Sequence, residues 1–209
     1  MLIDMHLHTL DHSPDSLTSA RQIAEMAIAA GLDGIVLTDH DYTWHEDELT
    51  MLRAEMSDDL LVLSGAEICF SDVHILVYGV PSGPVPNFSY PENVIQWVDD
   101  YHGAAVIAHP FGPDTIVSED TMCTLGAHGC EAFNGRRKCM DLENIFLLER
   151  LGLSATGGTD FHGKDEDRIG RCATEFSVEI RSIEDVVNAI RRRLVLPWRA
   201  RNCKTVSVA

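Results

Sequence analysis

Residues 1–8 read MLIDMHLH, and this stretch alternates apolar side chains with polar or metal-binding ones. A period of two predicts a β-strand, because a strand directs successive side chains to opposite faces of its sheet. Asp4, His6 and His8 would then share one face, with apolar residues on the other. Two neutral imidazoles on one face at the end of a strand can bind the same cation. A His-x-His pair also arises by chance, so the remainder of the chain decides its meaning.

The composition limits the class of protein. The chain has 209 residues, of which 45% are hydrophobic, so it can bury one sizeable core, and we expect a single domain over residues 1–209. Its net charge of −17 argues against a protein that coats nucleic acid, since the phosphate backbone attracts clustered Lys and Arg. Bound cations would neutralise part of this negative charge.

The cysteines and the apolar runs indicate a cytoplasmic location. None of the six cysteines forms a C-x-x-C pair, and the first residues do not resemble a signal peptide. No apolar run is long enough to span a membrane. We therefore expect a soluble cytoplasmic protein without a membrane partner, whose reduced cysteines are core or surface residues. The sequence does not indicate the oligomeric state.

Strand-like and helix-like patterns alternate along the chain without a linker. Apolar, β-branched runs predict strands at residues 2–8, 34–38, 60–67, 74–80, 104–108, 130–134 and 154–157. Apolar residues at helical spacing predict helices at residues 18–30, 46–56, 91–102, 118–125, 141–151 and 182–193. Gly31 is expected to cap the first of these helices. The alternation predicts an α/β fold built largely from βα units.

Side chains that can bind metal gather where these strands begin or end. They are Asp39, His40, Glu67, His74, His109, Glu131, Asp160 and His162. Neighbouring strands lie about 4.8 Å apart, so side chains on the first and seventh strands of an open sheet would be roughly 25–30 Å apart. Closing the sheet into a barrel brings them together at its C-terminal rim. An open, doubly wound sheet is the alternative, and it would divide the site.

Five motifs in sequence order resemble those of the PHP (polymerase and histidinol phosphatase) family of metal-dependent phosphoesterases. They are D-x-H-x-H-T at residues 4–9, T-D-H-D at 38–41, G-A-E at 65–67 followed by His74, A-H-P at 108–110 and G-T-D-x-H at 158–162. Each motif alone is weak, but the ordered set is specific and extends over about residues 1–195. The resemblance implies an α/β fold, a distorted (β/α)7 barrel with a metal site at the C-terminal rim of the strands.

The resemblance also implies which residues bind metal. The implied ligands are His6, His8, Asp15, His40, Glu67, His74, His109, Asp160 and His162. The first metal ion would be bound by His6, His8, Glu67 and Asp160. The second ion would share Glu67 as a bridge and add His74 and His109. The cofactors would be two or three divalent ions, and this mixture of nitrogen and oxygen donors suits zinc, manganese or iron(II) better than calcium or a lone magnesium ion.

The third metal ion has one ambiguous ligand. The resemblance implies that His40 and His162 bind it together with a residue from the loop LDHSPDS at residues 10–16. Asp15 is favoured, because it lies in S-P-D-S, a form that the family uses. His12 is the alternative, and Asp11 is a remote third choice.

The implied reaction is hydrolysis of a phosphoester by a metal-bridging hydroxide, since metal ions lower the pKa of bound water. The chain has no G-x-S-x-G motif for a serine nucleophile. The residues with catalytic roles would be Glu67, Asp160, His162, Arg136 and His12. Arg136 and its neighbour Arg137 would either grip a substrate phosphate or form a solvated loop tip. His12, if it is not a ligand, could protonate the leaving oxygen.

A small phosphate ester is the expected substrate and partner, such as a nucleoside monophosphate, a sugar phosphate or histidinol phosphate. One alternative is a nuclease or 3'-5' exonuclease, but the acidic chain lacks a basic, aromatic-rich face, which leaves only short nucleic-acid ends. A second is an amidohydrolase-like metal hydrolase, because such enzymes also begin with His-x-His and use a late Asp. A metal-stabilised binding protein without catalysis is disfavoured, because every matched ligand type is present.

Three further carboxylates lie beside the implied ligands. Asp4 and Asp39 are expected to orient imidazoles rather than to bind metal, because ligand histidines commonly donate their second N–H to a carboxylate. Glu131 is either an acid that supports a ligand or an ordinary residue at a strand end.

Overall fold

The strands form a nine-stranded sheet, which curls into a nearly closed barrel, and a separate two-stranded ribbon. The computed structural model describes residues 1–56, 60–112, 116–136, 142–164 and 169–200. The strands are β1 (Leu2–Leu7), β2 (Gly34–Leu37), β3 (Tyr42–Thr43), β4 (Leu61–Cys69), β5 (His74–Tyr78), β6 (Gly83–Pro84), β7 (Ala104–Ala108), β8 (Gly129–Asn134), β9 (Ser154–Gly158), β10 (Cys172–Phe176) and β11 (Val195–Arg199). The helices are α1 (Ala20–Ala29), α2 (Glu46–Ala54), α3 (Pro91–Asp100), α4 (Glu119–Thr124), α5 (Leu142–Leu151) and α6 (Ile183–Arg191).

The predicted barrel is confirmed, and its strands match the predicted runs. These are β1, β2, β4, β5, β7, β8 and β9, adjacent in that order in the sheet. β1, β2 and β4 are parallel, as are β7, β8 and β9, whereas β5 runs antiparallel to both of its neighbours. β10 and β11 were not predicted from the sequence, and they extend the sheet antiparallel beyond β1.

The barrel closes where β1 ends. The first residues of β1 pair with β10, so Ile3 lies opposite Thr174. Farther along, the Asp160 N–H donates to the His6 carbonyl at 2.8 Å, and the His8 N–H donates to the Phe161 carbonyl at 3.0 Å. The end of β1 therefore pairs with the segment that follows β9. This seam joins the first and last barrel strands at the C-terminal rim.

A β-hairpin replaces one of the expected βα units. β4 and β5 pair directly, with Cys69 opposite His74, and the Phe70 N–H donates to the Val73 carbonyl across the turn at 3.0 Å. Because β5 is antiparallel, its first residue lies at the rim where β4 ends. This orientation explains why His74 begins its strand, whereas the other implied strand-borne ligands lie at or after a strand end.

Six helices occur among the described residues where the sequence predicts helices, and α1, α2, α3, α4 and α6 are slightly shorter than their predicted ranges. α1 shows the local reasons. The Ser19 hydroxyl accepts from the Gln22 backbone N–H, and the Gln22 side chain accepts from the Ser19 backbone, a capping box. The predicted cap at Gly31 is confirmed by its φ of 76°, a conformation that glycine adopts without strain. Residue 141, the predicted start of α5, lies outside the described residues.

The apolar core fills the barrel and the space beneath the helices. Ile3, Met5 and Leu76 are buried inside the sheet, and the Tyr78 hydroxyl donates to the Met5 carbonyl at 2.9 Å. Burial of each large apolar side chain contributes about 1.5–3 kcal/mol to the free energy of folding. Among the described residues, no helix has both the length and the apolar character needed to cross a membrane.

A polar cluster ties the helices to the barrel near the start of β7. The Ala105 N–H donates to His128 Nδ1 at 3.0 Å, and His128 Nε2 lies 3.2 Å from Asp99 Oδ1. Arg191 donates to the same Asp99 oxygen at 2.5 Å. Because Nδ1 accepts a hydrogen bond, the His128 ring is neutral here. Burial lowers the pKa of His128, and the Arg191 charge lowers it further.

We predict that His128→Ala destabilises the protein by about 1–2 kcal/mol, because it removes both hydrogen bonds of the half-buried ring. The folded pKa of His128 lies below the unfolded value of 6.5, so its contribution to stability is present at neutral pH and is lost as the pH falls below about 6.5. Urea unfolding between pH 5 and 8 would measure the difference between parent and variant.

Exposed His102 has a φ of 56° and offers a matched control, since Asn tolerates this conformation. His102→Asn should leave the pH profile of stability unchanged. If the free energy of unfolding of His128→Ala changed with pH in the same way as that of the parent, this would contradict the assigned role of the His128 ring.

Candidate metal centre

The structure brings the implied ligands together at the C-terminal rim of the barrel. His6, His8 and Glu67 lie deepest, with relative exposures of 0%, 0% and 2%. His109, Asp160 and His162 are also buried. His40 and His74 are half-buried, and Asp15 has an exposed carboxylate at the edge. The set thus forms a funnel that runs from solvent into the barrel.

Two imidazole nitrogens meet at the bottom of this funnel. His6 Nε2 and His8 Nε2 lie 3.0 Å apart. Glu67 Oε2 is 3.5 Å from the His6 nitrogen and 3.2 Å from the His8 nitrogen. Asp160 Oδ1 is 3.7 Å from each of them. Four groups that can act as metal ligands therefore surround one point.

The hydrogen bonds of the Nδ1 atoms of His6 and His8 indicate whether their Nε2 atoms can bind a cation at this point. His6 Nδ1 lies 3.1 Å from a Glu131 carboxylate oxygen, which can only accept, so Nδ1 carries a proton. His8 Nδ1 faces Ser13 Oγ at 3.4 Å, and Ser13 gives its own proton to Asp39 at 2.6 Å. In neutral rings, both Nε2 atoms then present lone pairs to each other and to carboxylate oxygens. A metal cation satisfies this arrangement.

The charges around His6 lead to the same conclusion. Burial alone would lower the pKa of His6, but the carboxylates of Glu131, Asp160 and Glu67 outweigh it and hold the pKa well above its usual value. Positive charge is therefore favoured at this position, whether a proton or a metal ion supplies it. The donor set suits divalent ions that accept both imidazole and carboxylate ligands.

Glu67 occupies the position expected of a bridging carboxylate. Its Oε1 lies 3.0 Å from His74 Nδ1 and 3.1 Å from His109 Nε2. Its Oε2 faces His8 and, at 3.4 Å, His40 Nδ1. Burial would raise the pKa of Glu67, but His6 and the hydrogen bonds from imidazoles hold it well below the usual range. The ionised carboxylate thus faces the implied ligands of both metal ions.

In the outer part of the funnel, one residue of the loop 10–16 lies beside His40 and His162. Asp15 Oδ2 lies 3.0 Å from His162 Nε2, and Asp15 Oδ1 lies 3.5 Å from His40 Nε2. The pKa of His162 is lowered to about 4, first by burial and then by the neighbouring His8. Neutral His162 can therefore present a lone pair beside the Asp15 carboxylate. Of the loop candidates, the structure brings Asp15 to the implied third-metal ligands.

His12 and Asp11 make other contacts. His12 Nε2 lies 2.9 Å from Glu48 Oε1, and its ring stacks on Tyr42 with centroids 3.9 Å apart. The Asp11 carboxylate accepts from the Ala20 N–H at the start of α1. The hydrogen bond and the ring stacking of His12 are therefore made with Glu48 and Tyr42, neither of which is an implied ligand.

Glu131 contacts two of the implied ligands, so it is more than an ordinary residue at a strand end. One oxygen faces His6 Nδ1, and the other accepts from the His109 backbone N–H at 2.8 Å and from Asn134 Nδ2 at 3.0 Å. Ser13 similarly connects His8 to Asp39. Ser13 and Asn134 were not predicted as site residues. Ser13 lies four residues after the D-x-H-x-H-T motif, whereas Asn134 lies outside every motif, at the end of the predicted strand 130–134.

Asp4 and Asp39 do not contact imidazoles as the sequence analysis expected. Asp4 accepts from the His6 and Thr159 backbone N–H groups and from the Thr159 hydroxyl. Burial raises the pKa of Asp4 to about 7, although the Thr159 hydrogen bonds act against this rise. Asp39 accepts from Thr9 and Ser13 and from the indole of Trp44. Both carboxylates therefore fix the backbone and loops that carry the histidines.

Two implied ligands have backbone conformations that are rare for residues other than glycine. His109 has a φ of 33° and Asp160 a φ of 54°. The backbone N–H of His109 donates to Glu131, and that of Asp160 donates to the His6 carbonyl. Such conformations persist only when the surroundings hold them, and they occur preferentially at functional sites.

Arg136 provides a cation at the edge of the cluster. Its Nη1 lies 3.4 Å from Asp160 Oδ1 and 3.3 Å from His162 Nδ1, and the side chain is 36% exposed. Its backbone N–H donates to the Asn134 side chain at 3.0 Å, which holds the start of this loop. The guanidinium can thus meet an anion that enters the funnel. Arg137 lies outside the described residues.

Known proteins share sequence features with this chain. A family model described as PHP-associated matches residues 145–195. The uncharacterized protein MJ1587 of Methanocaldococcus jannaschii is 26% identical over an alignment of 156 residues, and the match covers 70% of this chain and 90% of that protein.

Solved structures share the fold. A two-domain protein from Bacteroides vulgatus, containing a predicted PHP-like metal-dependent phosphoesterase, has a TM-score of 0.72 and 20% identity over 95% of this chain and 64% of that chain. A protein from Bifidobacterium adolescentis, assigned as a metal-dependent phosphoesterase, has a TM-score of 0.63 and 21% identity over 91% of this chain and 96% of its own.

The same fold recurs in proteins with other names. An amidohydrolase from Chromobacterium violaceum has a TM-score of 0.64 and 17% identity over 93% of this chain and 97% of its own. Endonuclease Q, in complex with a duplex that carries an abasic lesion, has a TM-score of 0.66 and 17% identity over 92% of this chain and 57% of its own. At these identities the likeness concerns the fold alone.

We predict that Asp15→Asn lowers metal occupancy at the outer position while the positions around Glu67 stay filled, because the substitution keeps the size of the side chain and removes its charge. His12→Ala, which removes a contact with Glu48, should leave the metal content unchanged. Anomalous-scattering maps of both variants would count metals position by position.

The opposite pattern, with metal lost only from His12→Ala, would make His12 the third-metal ligand. Equal metal content in both variants and in the parent would reduce the centre to two ions.

Proposed function

We propose that the chain is a metal-dependent phosphoesterase of the PHP family that hydrolyses a small phosphate ester at a centre of two or three divalent ions. The observation that carries the proposal is a buried point where His6 Nε2, His8 Nε2 and a Glu67 oxygen converge. When both imidazole rings are neutral, none of these three atoms carries a proton to donate. Zinc, manganese or iron(II) ions held there would supply Lewis acidity toward phosphoryl oxygens and lower the pKa of water.

The proposed ligands are divided among the ions as the resemblance implies. His6, His8, Glu67 and Asp160 would hold the first, and Glu67, His74 and His109 the second. Asp15, His40 and His162 would hold the third. Two groups whose ligand atoms lie within 4.8 Å of one another support the first two sites: His6–His8–Glu67 and Glu67–His74–His109. For the third site, His40 and His162 form such a group with His8, and Asp15 lies 3.5 Å and 3.0 Å from them.

Arg136 is the proposed substrate contact. Its guanidinium lies beside Asp160 and His162 and can donate paired hydrogen bonds to a phosphate monoester. Glu131 holds His6 and the backbone of His109, so it keeps two proposed ligands in place while substrate binds. His12 is engaged by Glu48, so the proposed chemistry gives it no part.

The charge of the chain favours a small substrate. At a net charge of −17, the protein would repel a long polyanion unless local cations compensated. A small ester needs only the metal ions and Arg136 to neutralise its phosphate. The thiols of Cys69, Cys123 and Cys130 are free in the part of the chain that the structure describes, which supports a reducing compartment, and we propose the cytoplasm.

Chelation should abolish hydrolysis, because the proposed site contains no protein nucleophile, and manganese or zinc should restore it. The assay would offer nucleoside monophosphates, sugar phosphates, histidinol phosphate, a short single-stranded oligonucleotide and an amide. We expect restored turnover on one class of small monoester. Full activity in demonstrably metal-free protein would refute the mechanism, and turnover confined to the oligonucleotide or the amide would replace the proposed substrate class.

Arg136→Ala should raise KM by about tenfold or more and lower kcat less, since the side chain is proposed to bind the phosphate before and during reaction. Arg136→Lys should recover part of this loss, because it restores the charge without the paired geometry. Arg150, an exposed residue of α5 paired with Glu119, supplies the control variant Arg150→Ala. Similar KM values for Arg136→Ala and Arg150→Ala would contradict the proposal that Arg136 binds the substrate phosphate.

A further inference from the structure

Cys69 lies at the edge of the funnel beside two proposed ligands. It ends β4 two residues after Glu67, so the strand directs both side chains to the same face. Its Sγ is 3.5 Å from His40 Nδ1 and 3.4 Å from His74 Nδ1. The described contacts thus place a sulfur atom between a proposed ligand of the second ion and one of the third.

The same two ring nitrogens also face the bridging carboxylate. His40 Nδ1 is 3.4 Å from Glu67 Oε2, and His74 Nδ1 is 3.0 Å from Glu67 Oε1. The ligand atoms of His40, Glu67 and Cys69 lie within 4.8 Å of one another. A single thiol proton can serve only one of the two nitrogens. Nitrogen, oxygen and sulfur donors therefore converge at the outer side of the centre.

The sheet, and not a free loop, fixes the position of this sulfur. Cys69 pairs with His74 in the β4–β5 register, and Glu67 pairs with Leu76 two residues farther in. The hairpin turn is closed by the hydrogen bond between Phe70 and Val73. Cys69 is nevertheless exposed, so an ion that approaches from solvent meets its side chain.

We propose that Cys69 is a sulfur ligand at the outer side of the metal centre, between His40 and His74. The proposal rests on the proposed function and adds a residue to it. Binding would release the thiol proton to solvent, because only the thiolate coordinates metal. A soft thiolate favours zinc, iron(II) or cobalt(II) over manganese or magnesium, so this residue would bias the choice of metal.

Cobalt(II) is a suitable probe, since a thiolate bound to it gives near-ultraviolet charge-transfer absorption that nitrogen and oxygen ligands do not give. The experiment would titrate cobalt into the metal-free parent, into Cys69→Ser and into Cys123→Ser. Cys123 is an exposed cysteine on α4 and provides the matched control. We expect the absorption in the parent and in Cys123→Ser, its loss in Cys69→Ser, and an affinity at the outer position weakened at least about tenfold in that variant.

A second measurement uses the parent protein alone, so it does not depend on the folding of a variant. Alkylation by iodoacetamide, followed residue by residue by mass spectrometry, should slow at Cys69 about tenfold or more when zinc is added, because a bound thiolate is shielded. Alkylation of Cys123 should keep its rate.

The outcomes separate the two proposals. Cobalt binding and zinc-dependent hydrolysis without sulfur absorption, together with equal alkylation of Cys69 with and without zinc, would overturn the role of Cys69 and leave the phosphoesterase proposal standing. A parent protein that binds neither cobalt nor zinc would overturn both. Absorption that persists in Cys69→Ser would also overturn the role of Cys69, because another thiol would then be the ligand.

Discussion

The site depends on the seam between the end of β1 and the segment that follows β9. Two backbone hydrogen bonds, from Asp160 to His6 and from His8 to Phe161, hold these segments together. Asp4 strengthens the seam because its carboxylate accepts three hydrogen bonds, two of them from Thr159. Without this closure, His6 at the end of β1 and His8 just after it would be separated from Asp160, which follows the last barrel strand. The buried Asp4 carboxylate is thus structural, although it lies two residues before the proposed ligand His6.

Much of this architecture could be predicted from the sequence. β1 was marked by its alternating pattern and most other barrel strands by apolar runs, because a strand buried on both faces is largely apolar. The motifs placed the proposed ligands at one rim. β10 and β11 were missed: β11 contains Pro197, which lowers the strand signal, and β10 includes the charged, exposed Glu175. The extent of the domain over residues 1–209 stays a prediction.

The finer features of the site could not be read from spacing. Asp4 and Asp39 lie beside histidines in sequence, yet their partners come from other segments, Thr159 for one and Thr9, Ser13 and Trp44 for the other. The choice between Asp15 and His12 depended on the path of a single loop, since His12 turns toward Glu48. Which residues bind metal, and how many ions they hold, remains the proposal that the geometry supports.

The separation of the ligands along the chain has a consequence for folding order. Glu67 and His74 belong to one hairpin and can meet as soon as a short loop closes. His6 and Asp160 are far apart in sequence, so they meet only after most of the intervening chain has folded. The hairpin half of the centre is therefore expected to form early, and the seam late. An ion that binds His6 and Asp160 would then act as a latch on the slowest contact of the barrel, and its loss would favour opening at the seam before the hairpin melts.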